Sequence, residues 1–254
     1  MAKKKTKKRV KTSKLKEMLA KIKGFTLVEL SAVIVILAII MVIAIPSVVN
    51  TSKSASKKSF LEFARKVSQE AERKYTEATT FGKLDLDLEN ELTFVVYTIE
   101  KDLGLKNVGD YKGIVMVGDA IDDHFNLVIL YDKKYFVQNK FAGDDDYKDI
   151  SLEDIVTRTA TENQFKQMVN KSINLDSIDI KKIYAYSQAR MNCGSDRINV
   201  YDGETYNLLI SYKMDDPNEI KQCYAYGEKK SMVYAGIAIQ AELNGTLDSL
   251  LASN

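Results

Sequence analysis

From Phe25 to Val49 the chain runs for 25 residues with one ionisable side chain, Glu29, and no glycine. At about 1.5 Å of rise per residue, a helix of that length covers roughly 37 Å, and a bilayer core needs only about 20 apolar residues. In lipid the backbone must satisfy its own hydrogen bonds, which favours a helix despite the many β-branched residues. Eleven basic residues and a single acid, Glu17, precede the run. Their bias places residues 1–24 in the cytoplasm and the bulk of the chain outside. A secretory signal peptide has a shorter apolar core and a small-residue cleavage site. This run is longer, and no A-x-A pattern follows it.

Glu29 is the oddity inside that run. A carboxylate in an apolar segment is a functional hypothesis with a partner to be named. Lys23 lies six residues back, off the helical pairing distance. Two readings stay open on spacing alone: a functional acid, or one near the interface that reaches water.

The stretch Gly24-Phe25-Thr26-Leu27-Val28-Glu29-Leu30, with Pro46 downstream, resembles the prepilin signature of type IV pilins and pseudopilins. The resemblance covers about 30 residues. It implies cleavage after Gly24 by a prepilin peptidase and N-methylation of Phe25. It also implies that Glu29 faces the N-terminal amine of a neighbouring subunit, and that the helix kinks or unwinds a turn near Pro46. The implied partners are other pilin subunits, the peptidase, membrane-platform assembly proteins and the cytoplasmic membrane. The implied course is a single-pass precursor that ends in a surface filament.

Charge follows the same division. Residues 25–254 carry 26 basic and 34 acidic residues, so the acidic mature chain hides behind a whole-chain charge of +2. Charge-driven nucleic-acid binding needs a net basic footprint and is disfavoured for the mature part. The basic leader reads as an orientation signal that is drawn to anionic lipid.

Beyond Pro46, apolar residues recur at Phe60, Phe63/Ala64, Val67, Ala71, Tyr75 and Ala78, a helical stripe with charged residues on the other faces. The Ser/Lys-rich stretch 52–59 marks where the helix leaves the membrane. Leu84, Leu86 and Leu88 alternate with acids, and 91–103 reads as a short helix or a buried strand. Residues 113–118, 125–132 and 134–139 read as strands, with a hairpin turn at Asp132-Lys133. Residues 151–174 read as a helix opened by a capping box, Ser151-Leu152-Glu153-Asp154. Strands are expected at 181–187, 197–200, 205–212, 219–226 and 231–241, with a turn at Asp202-Gly203. The fold class is α+β: a long N-terminal helix on an antiparallel sheet, with further α+β structure at the C-terminus. The expected division is a cleaved leader (1–24), a membrane or filament-core helix (25–49), a globular domain (50–149) and a C-terminal part (150–254). That last part is a second lobe or an enlargement of the sheet.

The chain has two cysteines, Cys193 and Cys223, both in the part placed outside the cell. An oxidising compartment favours a disulfide between them; two unpaired thiols are the alternative. Three aspartates, Asp144–Asp146, lack the rest of a calcium loop and read as a solvated turn. The single histidine, His124, has Asp122 and Asp123 beside it and reads as a turn residue. Sequons at Asn50, Asn170 and Asn244 are short patterns of high chance frequency. Catalytic elbows, phosphate loops, dinucleotide fingerprints and C-x-x-C spacings are missing from the sequence. No enzyme activity, metal or cofactor is expected.

Three functions compete: a pilus subunit; a minor pilin or pseudopilin of a type II secretion or DNA-uptake (competence) system; and a single-pass anchored protein whose outer part binds a ligand or carries an unrecognised activity, with any surface or DNA ligand of the chain left unnamed. The Gly24/Phe25/Glu29 pattern weighs against the third, because a plain anchor has no need of an acid at that spacing.

Overall fold

A computed structural model describes residues 26–84, 91–106, 108–119, 124–139, 141–142, 146–147, 149–190, 197–213 and 233–252. The chain divides into two compact units, Met1–Ser54 and Ala55–Asn254. Helix α1 (Leu27–Thr80) opens the described chain, and its residues to Ser54 fall in the first unit.

In the second unit, the stripe read from the sequence is the buried face of α1. Phe60, Leu61, Ala64, Val67, Ala71, Tyr75 and Ala78 are all buried. They pack on one face of a seven-stranded sheet. The other sheet face is also buried, so the central strands are apolar on both sides. In β1 (Glu91–Thr98), Leu92, Phe94 and Val96 point to one core, while Val95 and Tyr97 point to the other with α1. In β2 (Lys112–Asp119), Ile114 and Met116 alternate in the same way with Val115 and Val117. The strict period of two fixes register, because a one-residue slip would exchange the two faces. Val95 sits opposite Val117, and Val96 opposite Met116.

The sheet continues through β3 (His124–Tyr131), β4 (Tyr135–Gln138) and β7 (Ile155–Thr157), each antiparallel to its neighbour. A short ladder, β5 (Phe141–Ala142) with β6 (Asp146–Tyr147), stands apart from it. From β7 at one edge, the chain crosses to the far side of β1. There β8 (Arg197–Asp202) adds parallel to β1, and β9 (Leu208–Lys213) closes the order β7-β4-β3-β2-β1-β8-β9. A parallel pairing needs a crossover that covers a face of the sheet. Helices α2 (Arg158–Val169) and α3 (Ile180–Ala189) lie within that crossover, and α4 (Val233–Leu243) and α5 (Leu247–Ala252) join them in the same core.

Several expectations change here. The sheet is not wholly antiparallel, since β1 and β8 run side by side in one direction. Residues beyond 149 enlarge the first sheet, and Ala55–Asn254 is one compact unit. Residues 91–98 are the buried strand rather than the helix. The stretch expected as strand 181–187 is helix α3, in which Ile183 through Ala189 are all buried. Burial there includes the polar Ser187 and Gln188, so it does not follow the apolar pattern of the sequence. The stretch 231–241 contains helix rather than strand: Ala235, Ala238, Ile239 and Ala241 are buried at three-four spacing within α4. Asp154 accepts from the Ser151 N–H at 2.8 Å, half of the expected capping box, while the Ser151 hydroxyl accepts from the Glu153 N–H at 3.3 Å. The turn leads into β7, however, and α2 starts later, behind the Thr157 cap. The alternation over 84–88 and the strand expected at 219–226 fall largely or wholly outside the described residues.

Candidate assembly site on the N-terminal helix

The start of α1 is set by two side chains. The Glu29 carboxylate accepts from the Thr26 N–H at 2.8 Å and from the Thr26 hydroxyl at 2.9 Å. The Thr26 hydroxyl in turn accepts from the Glu29 N–H at 3.2 Å. This is a reciprocal capping box, which satisfies helix-end donors that lack intrahelical partners. The pattern T-x-x-E ahead of an apolar run is the sequence signal for this cap. Gly24 and Phe25, the residues of the implied cleavage and methylation, lie outside the described residues.

Downstream, the helix presents apolar side chains all round. Val28, Val42 and Ile43 are each more than 70% exposed in the isolated chain. The helix is long and apolar enough to cross a membrane, and none of its most apolar window is buried. Two of its hydroxyls bond back to the helix backbone. Ser31 donates to the Val28 carbonyl and Thr51 to the Ser47 carbonyl, each at 2.9 Å. Such bonds hide a polar group where no water is available to satisfy it. The α-helix continues through Pro46 without an unwound turn.

A second polar constellation gathers on the sheet-packed half of α1. His124 Nδ1 lies 2.5 Å from Asp119, and its Nε2 lies 2.9 Å from both oxygens of Glu72. Asn126 donates to Glu72 at 2.5 Å. Hydrogen bonds to Asp119 first, and then to Glu72, push the imidazole up to about 10. Burial alone would raise the Asp119 carboxyl, but the bond from His124 helps to hold it below its ordinary range. With carboxylates on both ring nitrogens, His124 is a charged clasp between helix and sheet. Among the described residues its partners are Asp119 and Glu72, and it stands at the head of β3 rather than in the turn expected from the sequence. No metal-binding group occurs among the described residues.

Cys193 and Cys223, and the side chains of Asp144–Asp146, lie outside the described residues. A cleft of about 290 Å³ opens beyond the carboxyl ends of β1 and β8, lined by Glu100, Asp102, Asp179, Lys181 and Glu204 among others.

The family model of the prokaryotic N-terminal methylation motif matches residues 19–45, a segment that contains Gly24, Phe25, Glu29 and most of the exposed apolar helix. Neither the curated proteins nor the solved structures give a match. Residues 19–45 thus carry the N-terminal methylation motif found in type IV pilin-like prepilins.

Proposed function

We propose that the chain is a filament subunit of the type IV pilus kind. It is made in the cytoplasmic membrane with residues 1–24 inside, cleaved between Gly24 and Phe25, N-methylated at Phe25, and drawn into a surface filament by a membrane-platform machine. The observation that carries this reading is the methylation motif on a capped helix whose apolar side chains are exposed among the described residues. Cleavage frees an amine at Phe25, the cation that the apolar segment otherwise lacks. Opposite charges attract strongly where the dielectric is low, yet each is costly to bury alone. Glu29 then acts as a registry device, because a subunit is stable only beside a neighbour whose amine it can meet. In the filament the helix bends at Pro46, which lacks the donor for one backbone bond. Outside the cell, Cys193 and Cys223 pair.

A minor pilin or pseudopilin role in secretion or DNA uptake is the second reading. The strands and helices after residue 149, which enlarge the globular unit, favour it over a densely repeating subunit. The test is N-terminal sequencing and mass spectrometry of surface-extracted protein, with copy number counted in sheared filaments. A methylated Phe25 start supports processing, and thousands of copies per filament support the major role. Retention of residues 1–24 in the working form overturns both.

A further inference from the structure

From the geometry around Lys181, we propose that Lys181 and Asp202 form an intramolecular isopeptide bond with Asp102 as proton carrier. The proposal stands independently of the pilus reading. Lys181 lies in the first turn of α3, Asp202 ends β8, and Asp102 follows β1. Lys181 Nζ is ion-paired with Asp202 Oδ2 and sits 3.8 Å from Asp102. The three side chains are 19%, 17% and 1% exposed, so the amine and its acceptor are largely screened and the third acid is enclosed.

Each participant is held by its own backbone bonds. Asp102 accepts from the Thr98 N–H at 2.6 Å. Asp202 faces Val96 across the parallel pair, and the Gly203 N–H donates to the Val96 carbonyl at 2.9 Å. The start of α3 is fixed by Asp179, which caps the Lys182 N–H at 3.1 Å and whose own N–H donates to Glu242 at 2.7 Å. Groups held this way react as though at effective molarities of ~10⁵ M or more, which lowers the barrier to condensation.

The carboxyl group is also set up for attack. While Oδ2 faces the amine, Oδ1 accepts from the Glu204 N–H at 2.8 Å and from the Thr205 N–H at 3.1 Å. Two backbone donors on the oxygen that becomes negative are the arrangement that stabilises a tetrahedral intermediate in acyl transfer. In the step, the ammonium passes one proton to Asp202 Oδ2. The neutral Nζ attacks Cγ, and charge collects on Oδ1 between the two N–H groups. Asp102 takes a second proton from Nζ and returns it to Oδ2. The Cγ–Oδ2 bond then breaks and one water leaves. An ammonium and a carboxylate become an amide and water, with no oxidant, reductant or external donor. The product ties the crossover helix to the strand that it delivers.

The test is mass spectrometry of the full chain, extracted in detergent and reduced so that the cysteines do not contribute. A mass short by one water, and a branched tryptic peptide joining Lys181 to Asp202, are expected. Lys181→Arg, which keeps the charge, restores the full mass. Asp102→Asn, which keeps an acceptor for the Thr98 N–H, loses most of the branched peptide. Asp202-Gly203 can also lose water as a succinimide, but that product is cleaved by hydroxylamine and yields no branch. A full-mass wild-type chain, a deficit that hydroxylamine removes, or a deficit that survives in Lys181→Arg overturns the proposal.

Discussion

Glu72 of the long helix reaches His124 at the head of β3, and both of its carboxylate oxygens stand 2.9 Å from the imidazole Nε2. The other ring nitrogen is engaged by Asp119. The contact joins residues that lie far apart in sequence, and its strength depends on the charge of the ring.

The first prediction concerns pH. The folded imidazole titrates near 10, against 6.5 for the ordinary group. A group whose folded value is raised contributes stability that is fully present below 6.5 and is lost as pH climbs from there through 10. His124 is about half exposed, so solvent screening limits the contribution to about 1 kcal/mol. Thermal melts of the wild type should fall between pH 6.5 and 10 by more than those of His124→Gln. Parallel curves would show that the clasp stores no charge-dependent stability.

The second concerns Glu29, which now has two separable tasks. Glutamine can replace glutamate in a capping box, so Glu29→Gln keeps the helix start and removes only the charge. Thr26→Ala weakens the cap by about 1 kcal/mol and leaves the charge. If registry rests on the carboxylate, Glu29→Gln should lower the amount of subunit in sheared filaments at least as far as Glu29→Ala does. Thr26→Ala should stay close to wild type. Normal assembly of Glu29→Gln would remove the registry role and leave the cap alone.

What the sequence made legible, and what it hid, has a physical basis. The stripe from Phe60 to Ala78 was readable because α1 buries one face and solvates the other. Strands β2 to β4 and the turn at Asp132 were readable because β-branched runs end in turn residues there. Helix α3 was not, because Ile183, Tyr184 and Tyr186 are strand-favouring residue types and burial extends to the polar Ser187 and Gln188. The parallel β1–β8 pairing was hidden as well, since strand direction is fixed by the crossover rather than by either strand's residues. At the N-terminus the motif residues and the T-x-x-E pattern were both plain, and the Thr26–Glu29 bonds follow from the second. The partners of His124 come from α1 and the end of β2, positions that no local pattern connects.

The third prediction concerns Gly203. A Cβ there would meet the Val96 carbonyl at 2.8 Å and would also run into the Tyr97 ring, which is fully buried. Neither neighbour can withdraw without disturbing β1. Gly203→Ala should therefore destabilise by about 1–3 kcal/mol, the usual cost of overpacking. Gly245→Ala, where a Cβ meets nothing within 4 Å but φ is +71°, tests conformational strain alone. Comparing the two in denaturant melts separates crowding from backbone strain; equal costs would mean that the Tyr97 contact gives way freely.

The fourth concerns Arg158, whose guanidinium is only 12% exposed and serves several partners at once. It bonds Glu162 at 2.9 Å and Asp176 at 2.8 Å, reaches the Asn174 amide oxygen at 2.5 Å, and lies over the Tyr131 ring at 5.4 Å. Glu162 also accepts from the Leu175 N–H at 3.1 Å, so the start of α2 is linked to the turn that precedes α3. Removing the arginine leaves Glu162, a mostly buried carboxylate, without its cation, and Arg158→Ala should cost about 3 kcal/mol. Lysine restores the charge but not the planar fork that meets several acceptors at once. Arg158→Lys should recover less than half of the loss in a denaturant titration. Full recovery would mean that net charge, rather than the geometry of the fork, holds this corner of the crossover.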